Sequence, residues 1–121
     1  MPPSRCVDAR GSDALYVVED ALIAPNLTRI ISFAVGAQLP TSFTTGDYVR
    51  AGGLVSYGPN YPVLSRRVAE ITDKILRGAK PADIPVEQPT AFEFVINMKT
   101  AKSLGLTISD KMLALADEAV E

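Results

Sequence analysis

The sequence predicts an α/β fold, a mostly parallel sheet with flanking helices. Three observations predict it. Residues 14–18 are an uninterrupted apolar run rich in β-formers, which suits a strand covered on both faces. Helical apolar stripes then alternate with short strand-like runs, the pattern that βαβ crossovers produce. Finally, 121 residues with 47 % hydrophobic content and a net charge of −2 hold enough apolar surface for one core and too little charge for disorder.

Residues 1–12 alternate Pro, Ser, Arg and Asp without period and read as an irregular tail, leaving residues 13–121 as a single α/β domain. The first strand ends at Glu19-Asp20. Leu27, Ile30, Ile31, Ala34 and Val35 then fall on one helix face, with Asn26 as N-cap and Pro40 blocking continuation. Residues 40–45 read as a second, more polar strand and residues 47–51 as a helical turn. Gly52-Gly53 breaks that turn before a third strand at residues 54–57.

Gly58-Pro59-Asn60 reads as a turn. A long helix follows over residues 62–76, with Leu64, Val68, Ile71 and Ile75 as its buried seam and Gly78 as its stop. Pro81, Pro85 and Pro89 make residues 80–89 an extended, semi-rigid connector. Residues 92–96 alternate as a strand. Asn97 caps a short helix that Gly105 closes, and Ser109 caps a last helix with apolar positions at Met112, Leu113, Leu115, Ala116 and Val120.

The absences exclude several chemistries. Without a histidine, no Ser-His-Asp or Cys-His arrangement can form, and Cys6, as the single cysteine, allows neither an intrachain disulfide nor a Cys-rich metal cluster. Gly52-Gly53 lacks phosphate-loop spacing. The mildly acidic balance lacks a nucleic-acid footprint. The sequence therefore predicts no enzyme, no cofactor, no metal and no nucleic-acid partner.

Ligands of open α/β sheets gather at the carboxyl ends of the strands. That rule singles out Glu19 and Asp20, then Thr44, Thr45 and Asp47, then residues 57–61, and Asn97. Each has a plainer reading: a solvated turn for Glu19 and Asp20, rim packing for Tyr57 and Tyr61, a helix cap for Asn97. Arg66-Arg67 reads as an exposed helix face.

Three stretches in one order carry a resemblance. They are residues 52–60, reading GGLVSYGPN; residues 73–89, reading DKILRGAKPADIPVEQP; and residues 94–108, reading FVINMKTAKSLGLTI. Together they resemble the substrate-binding proteins of ABC transporters, in the family whose members include tryptophan/tyrosine uptake proteins. The similarity runs from about Asp13 to Glu121. It implies Rossmann-like layers in a type I periplasmic-binding-protein fold, where two lobes close on a small solute, and it implies that this chain matches the C-terminal part, a partial lobe.

The resemblance implies a solute-binding component of an ABC importer. It would take a small amino-acid-like or aromatic compound without chemistry and work with an ABC permease and ATPase. Asp20, Ser56, Tyr57, Asn60 and Tyr61 are the expected ligand contacts. An intact family member is expected in the periplasm. Residues 1–11 contain no apolar signal region, so the chain as it stands is expected in the cytoplasm. One wall buries too little of a solute, and a cut face exposes apolar surface. A homodimer is therefore expected, by exchange of the C-terminal segment across the connector, with residues 92–96 and the final helices as the orphaned elements. The alternative is an interaction module that dimerises and has lost solute binding.

Overall fold

A computed structural model describes residues 11–121, so Cys6 and most of the expected tail lie outside the described residues. The elements are β1 (Leu15–Tyr16), α1 (Ile23–Gly36), β2 (Thr41–Phe43), α2 (Gly46–Arg50), β3 (Val55–Pro59), α3 (Tyr61–Leu76), β4 (Phe92–Asn97), α4 (Met98–Ser103), α5 (Asp110–Leu115) and β5 (Glu118–Val120). The strands lie side by side in chain order. β1–β2, β2–β3 and β4–β5 are parallel, while β3 and β4 are antiparallel, with Val55 opposite Ile96 and Pro59 opposite Phe92. The expected class is the observed one: α/β, mostly parallel, with flanking helices.

The core lies on the sheet face that α1 and α2 cover. Phe43, Val49 and Val95 are fully buried there with Val17, and Leu27, Ile30 and Ile31 of α1 pack against them. The expectation that residues 14–18 are covered on both faces is corrected. Successive strand residues point to opposite faces, and Tyr16 and Val18 are 63 % and 65 % exposed. The start of α1 also differs. Asp20 sets it, accepting from Leu22 N through its side chain (2.9 Å) and from Ile23 N through its carbonyl (2.9 Å). Asn26 lies inside the helix and donates to the Leu22 carbonyl (2.8 Å) instead of capping it.

Gly58 and Pro59 belong to β3 rather than to a turn, because Glu93 and Phe92 of β4 pair with them. At Gly58 a Cβ would collide with the Thr44 carbonyl, so only glycine lets the chain after β2 approach so closely. Asn60 caps α3, its side chain accepting from Val63 N (3.1 Å). Asn97 caps α4 as expected, accepting from Thr100 N (2.9 Å) while its amide donates to the Val49 carbonyl (3.0 Å).

Two further expectations are corrected. The last helix ends at Leu115, and residues 118–120 form β5 against β4, with Val120 packed on the core. β4 is consequently an inner strand whose Val95 and Ile96 are fully buried, not an orphaned element. The seam of α3, by contrast, is not buried: no residue of α3 is, Leu64 and Ile71 are half-buried, and Val68 is 62 % exposed. Its partners are the returning residues 81–91 rather than the sheet. Gly78, at φ +106°, ends the helix, donating to the Ile75 carbonyl (3.0 Å).

Arg50 ties α2 to the far strands. It donates to Glu118 (2.6 Å), Glu93 (3.2 Å) and Asp47 (2.9 Å). Hydrogen bonding from Arg50 holds the Glu118 carboxyl below its ordinary value of 4.5. A depressed carboxylate stabilises the fold above its ordinary pKa and loses that contribution as pH falls through the folded value. The side chains of Arg50 and Glu118 are 38 % and 40 % exposed, so solvent screens the bond. Arg50→Met is expected to cost about 1 kcal/mol at pH 7. Urea denaturation checks this, with the gap to the parent shrinking between pH 7 and pH 3; an equal gap at both pH values would contradict it.

Candidate functional site

Three parallel strands end and three helices begin at one edge of the sheet. β1 and β2 end there, and β3 runs directly into α3. Glu19 follows β1, and its carboxylate accepts three hydroxyl groups. Thr44, after β2, donates to Oε2 at 3.2 Å; Tyr61, the first residue of α3, donates to the same oxygen at 3.1 Å; Tyr48 of α2 approaches Oε1 at 3.5 Å, the outer limit of a hydrogen bond. Phe43 fixes Tyr48 from below, the two rings meeting edge to face with centroids 5.5 Å apart. Glu19 is exposed and Tyr61 is half-exposed, so the cluster faces solvent.

Of the five expected contacts, Tyr61 joins this cluster and Asn60 sits beside it as the cap of α3. Asp20 is exposed and turned onto its own backbone at Leu22. Ser56 is fully buried on the core face, between Phe43 and Val95, with its hydroxyl unpartnered. Tyr57 lies on the opposite face of the sheet, stacked on Phe92 with centroids 5.5 Å apart. Glu19 and Thr44 were marked by the strand-edge rule. Tyr48 was not, although a tyrosine in the first turn after a polar strand is the signal that would have found it. Among the described residues no group of three or more His, Cys, Asp or Glu is placed to hold a metal, and no helix is long and apolar enough to cross a membrane.

In an open sheet of this kind ligands bind in the crevice at the carboxyl ends of the strands, where these polar side chains gather. The family model for ABC transporter substrate binding proteins matches residues 7–120, and the chain belongs to that family. It is similar to a conserved domain protein from Vibrio cholerae O1 biovar El Tor, at 30 % identity and TM-score 0.85, over 92 % of this chain and 38 % of that one. It is equally similar, at 30 % identity and TM-score 0.85 over 93 % of this chain and 38 % of that one, to an ABC domain in complex with L-Trp from Streptococcus pneumoniae. A ligand-free, open substrate-binding protein with adhesive properties from Clostridium difficile aligns at 26 % identity and TM-score 0.64, over 89 % of this chain and 36 % of that one. The chain thus spans less than two fifths of the length of these relatives. Comparison with curated proteins gives no match.

Both phenols are pushed upward, for different leading reasons. The hydrogen bond to Glu19 raises the Tyr61 hydroxyl above its ordinary 10.0, and burial, then the charge of Glu19, raises Tyr48. Ionising either phenol would bring a second negative charge against Glu19 and lose a donor. A raised pKa contributes stability that is complete below pH 10 and is lost as pH rises through the folded value. In Glu19→Gln, phenolate absorbance is expected to show Tyr61 titrating closer to its ordinary value. An unchanged tyrosine titration would mean that the two side chains do not interact in solution.

Proposed function

We propose that this chain supplies one wall of the solute site of an ABC importer, and that Glu19 with Thr44, Tyr48 and Tyr61 is its contact surface. The observation that carries the reading is the Glu19 carboxylate held by hydroxyl groups from three separate elements at the carboxyl edge of the sheet. An ionised carboxylate beside tyrosine rings suits a cationic, aromatic or amino-acid-like compound: the carboxylate takes an ammonium group, and the rings offer apolar and cation–π contact. Asp20 adds a second exposed carboxylate next to it. The Ser56 hydroxyl has no access to a solute in this conformation.

Solute sites bury most of their ligand, so the opposite wall must come from elsewhere. In an intact member it would come from the part of the relatives that this chain does not match, with an ABC permease and ATPase as the transport partners and the periplasm as the place of capture. The dimeric interaction module remains a second reading. Exposed apolar residues on α3 and α5 favour it, Leu76 at 81 % and Leu115 at 66 % among them. The C-terminal segment would then be exchanged across residues 80–89.

Thermal unfolding with amino acids and aromatic amines tests the first reading, because a ligand bound only to the native state raises the midpoint. A rise is expected with one of these compounds at millimolar concentration. Glu19→Gln and Tyr61→Phe are each expected to weaken binding about tenfold, the value of one hydrogen bond to a charged group. No rise with any compound, in a chain that sedimentation shows to be a dimer, would instead favour the interaction module.

A further inference from the structure

Between Asn60 and Ala91 the chain leaves the sheet and returns to it. The excursion is an arm on a narrow neck, closed by the Asn60 N–H donating to the Ala91 carbonyl (2.9 Å). Its outward half is α3, and its returning half is the proline-rich strap of residues 80–91. Helix and strap face each other across an apolar groove, with Leu64, Val68 and Ile71 on one wall and Ile84 and Pro85 on the other. Among the described residues no backbone hydrogen bond joins residues 84–90 to α3.

One side chain crosses the gap. The Arg67 guanidinium grips Glu87 with two nitrogens, Nε donating to Oε2 at 2.7 Å and Nη2 to Oε1. Its Nη1 donates to Glu70 Oε2 at 2.6 Å, which holds the guanidinium in plane. An isolated surface ion pair contributes little, because ordering two long side chains offsets the attraction. This pair differs in two respects. The contact is a planar two-point fork, and prolines at 81, 85 and 89 have already restricted the segment that carries Glu87.

We propose that Arg67 and Glu87 form a clasp that fastens the strap over the apolar seam of α3. A helix of 16 residues with no buried side chain is marginal alone. The clasp joins helix and strap within the arm, while the neck and the Tyr61–Glu19 bond join the arm to the sheet. High salt weakens the clasp, since its charges are half-exposed.

Backbone 15N relaxation of the whole chain tests the clasp without any solute. At low salt the amides of Val86, Glu87 and Gln88 are expected to be as ordered as those of α3, with order parameters near 0.85. In Glu87→Gln, and in the parent at about 1 M salt, they are expected to fall below about 0.6, while β3 and β4 stay rigid. The exchanged pair Arg67→Glu with Glu87→Arg is expected to restore order. Three results would overturn the clasp: a strap already mobile in the parent at low salt, a strap unmoved by Glu87→Gln, or loosening that reaches β3 and β4 equally. Strap order that responds as expected, in a chain that binds no solute, would sustain the clasp.

Discussion

The antiparallel pairing of β3 with β4 is the constraint on which the other features depend. β3 completes a parallel run with β1 and β2, and β4 enters the same sheet from the opposite direction after the excursion of α3. That pairing buries Val95 and Ile96 and brings Asn97 under the Val49 carbonyl. It also places Thr100 to donate to the Gly52 carbonyl (3.0 Å). Remove it and α2 loses the strand it packs on, β5 loses its partner, and the neck of the arm opens. Gly58 is the price of this arrangement, the one position where β3 must pass the Thr44 carbonyl without a side chain.

Two parts of different character result. The sheet with α1 and α2 has a packed core of aromatic and β-branched residues. The arm has a capped helix, a strap and an apolar groove, but no buried residue in its helix. Glu19 on the first part and Tyr61 on the second meet across the boundary. The candidate site therefore reports the relative placement of the two, and a solute held there would stabilise it.

Local signals made most of the elements legible. Asn97 and Ser109 cap their helices as read, each accepting a bond from a backbone N–H three residues on, whereas Asn60, read as part of a turn, caps α3. What local signals could not supply is the partner. β5 is three residues long, and Val120 falls in phase with the helical stripe before it, so only the free edge of β4 decides its conformation. Gly58-Pro59 has turn chemistry that strand pairing overrides. The seam of α3 states that one face of the helix needs a cover and says nothing of whether the cover is present. At the site, the difference between Asp20 and Glu19 is one methylene and one position. The shorter side chain reaches its own backbone at Leu22, while the longer one reaches across to three neighbouring elements.

The β3–β4 pair is expected to hold the most stable structure, with the arm opening independently of it. Native-state amide hydrogen exchange tests this directly, because it resolves opening free energies segment by segment. The slowest exchange is expected at the Ser56, Gly58 and Val95 amides, which cross between β3 and β4, with α3 amides exchanging at least about tenfold faster through a local opening. Exchange of α3, β3 and β4 in one cooperative step with a single free energy would contradict it.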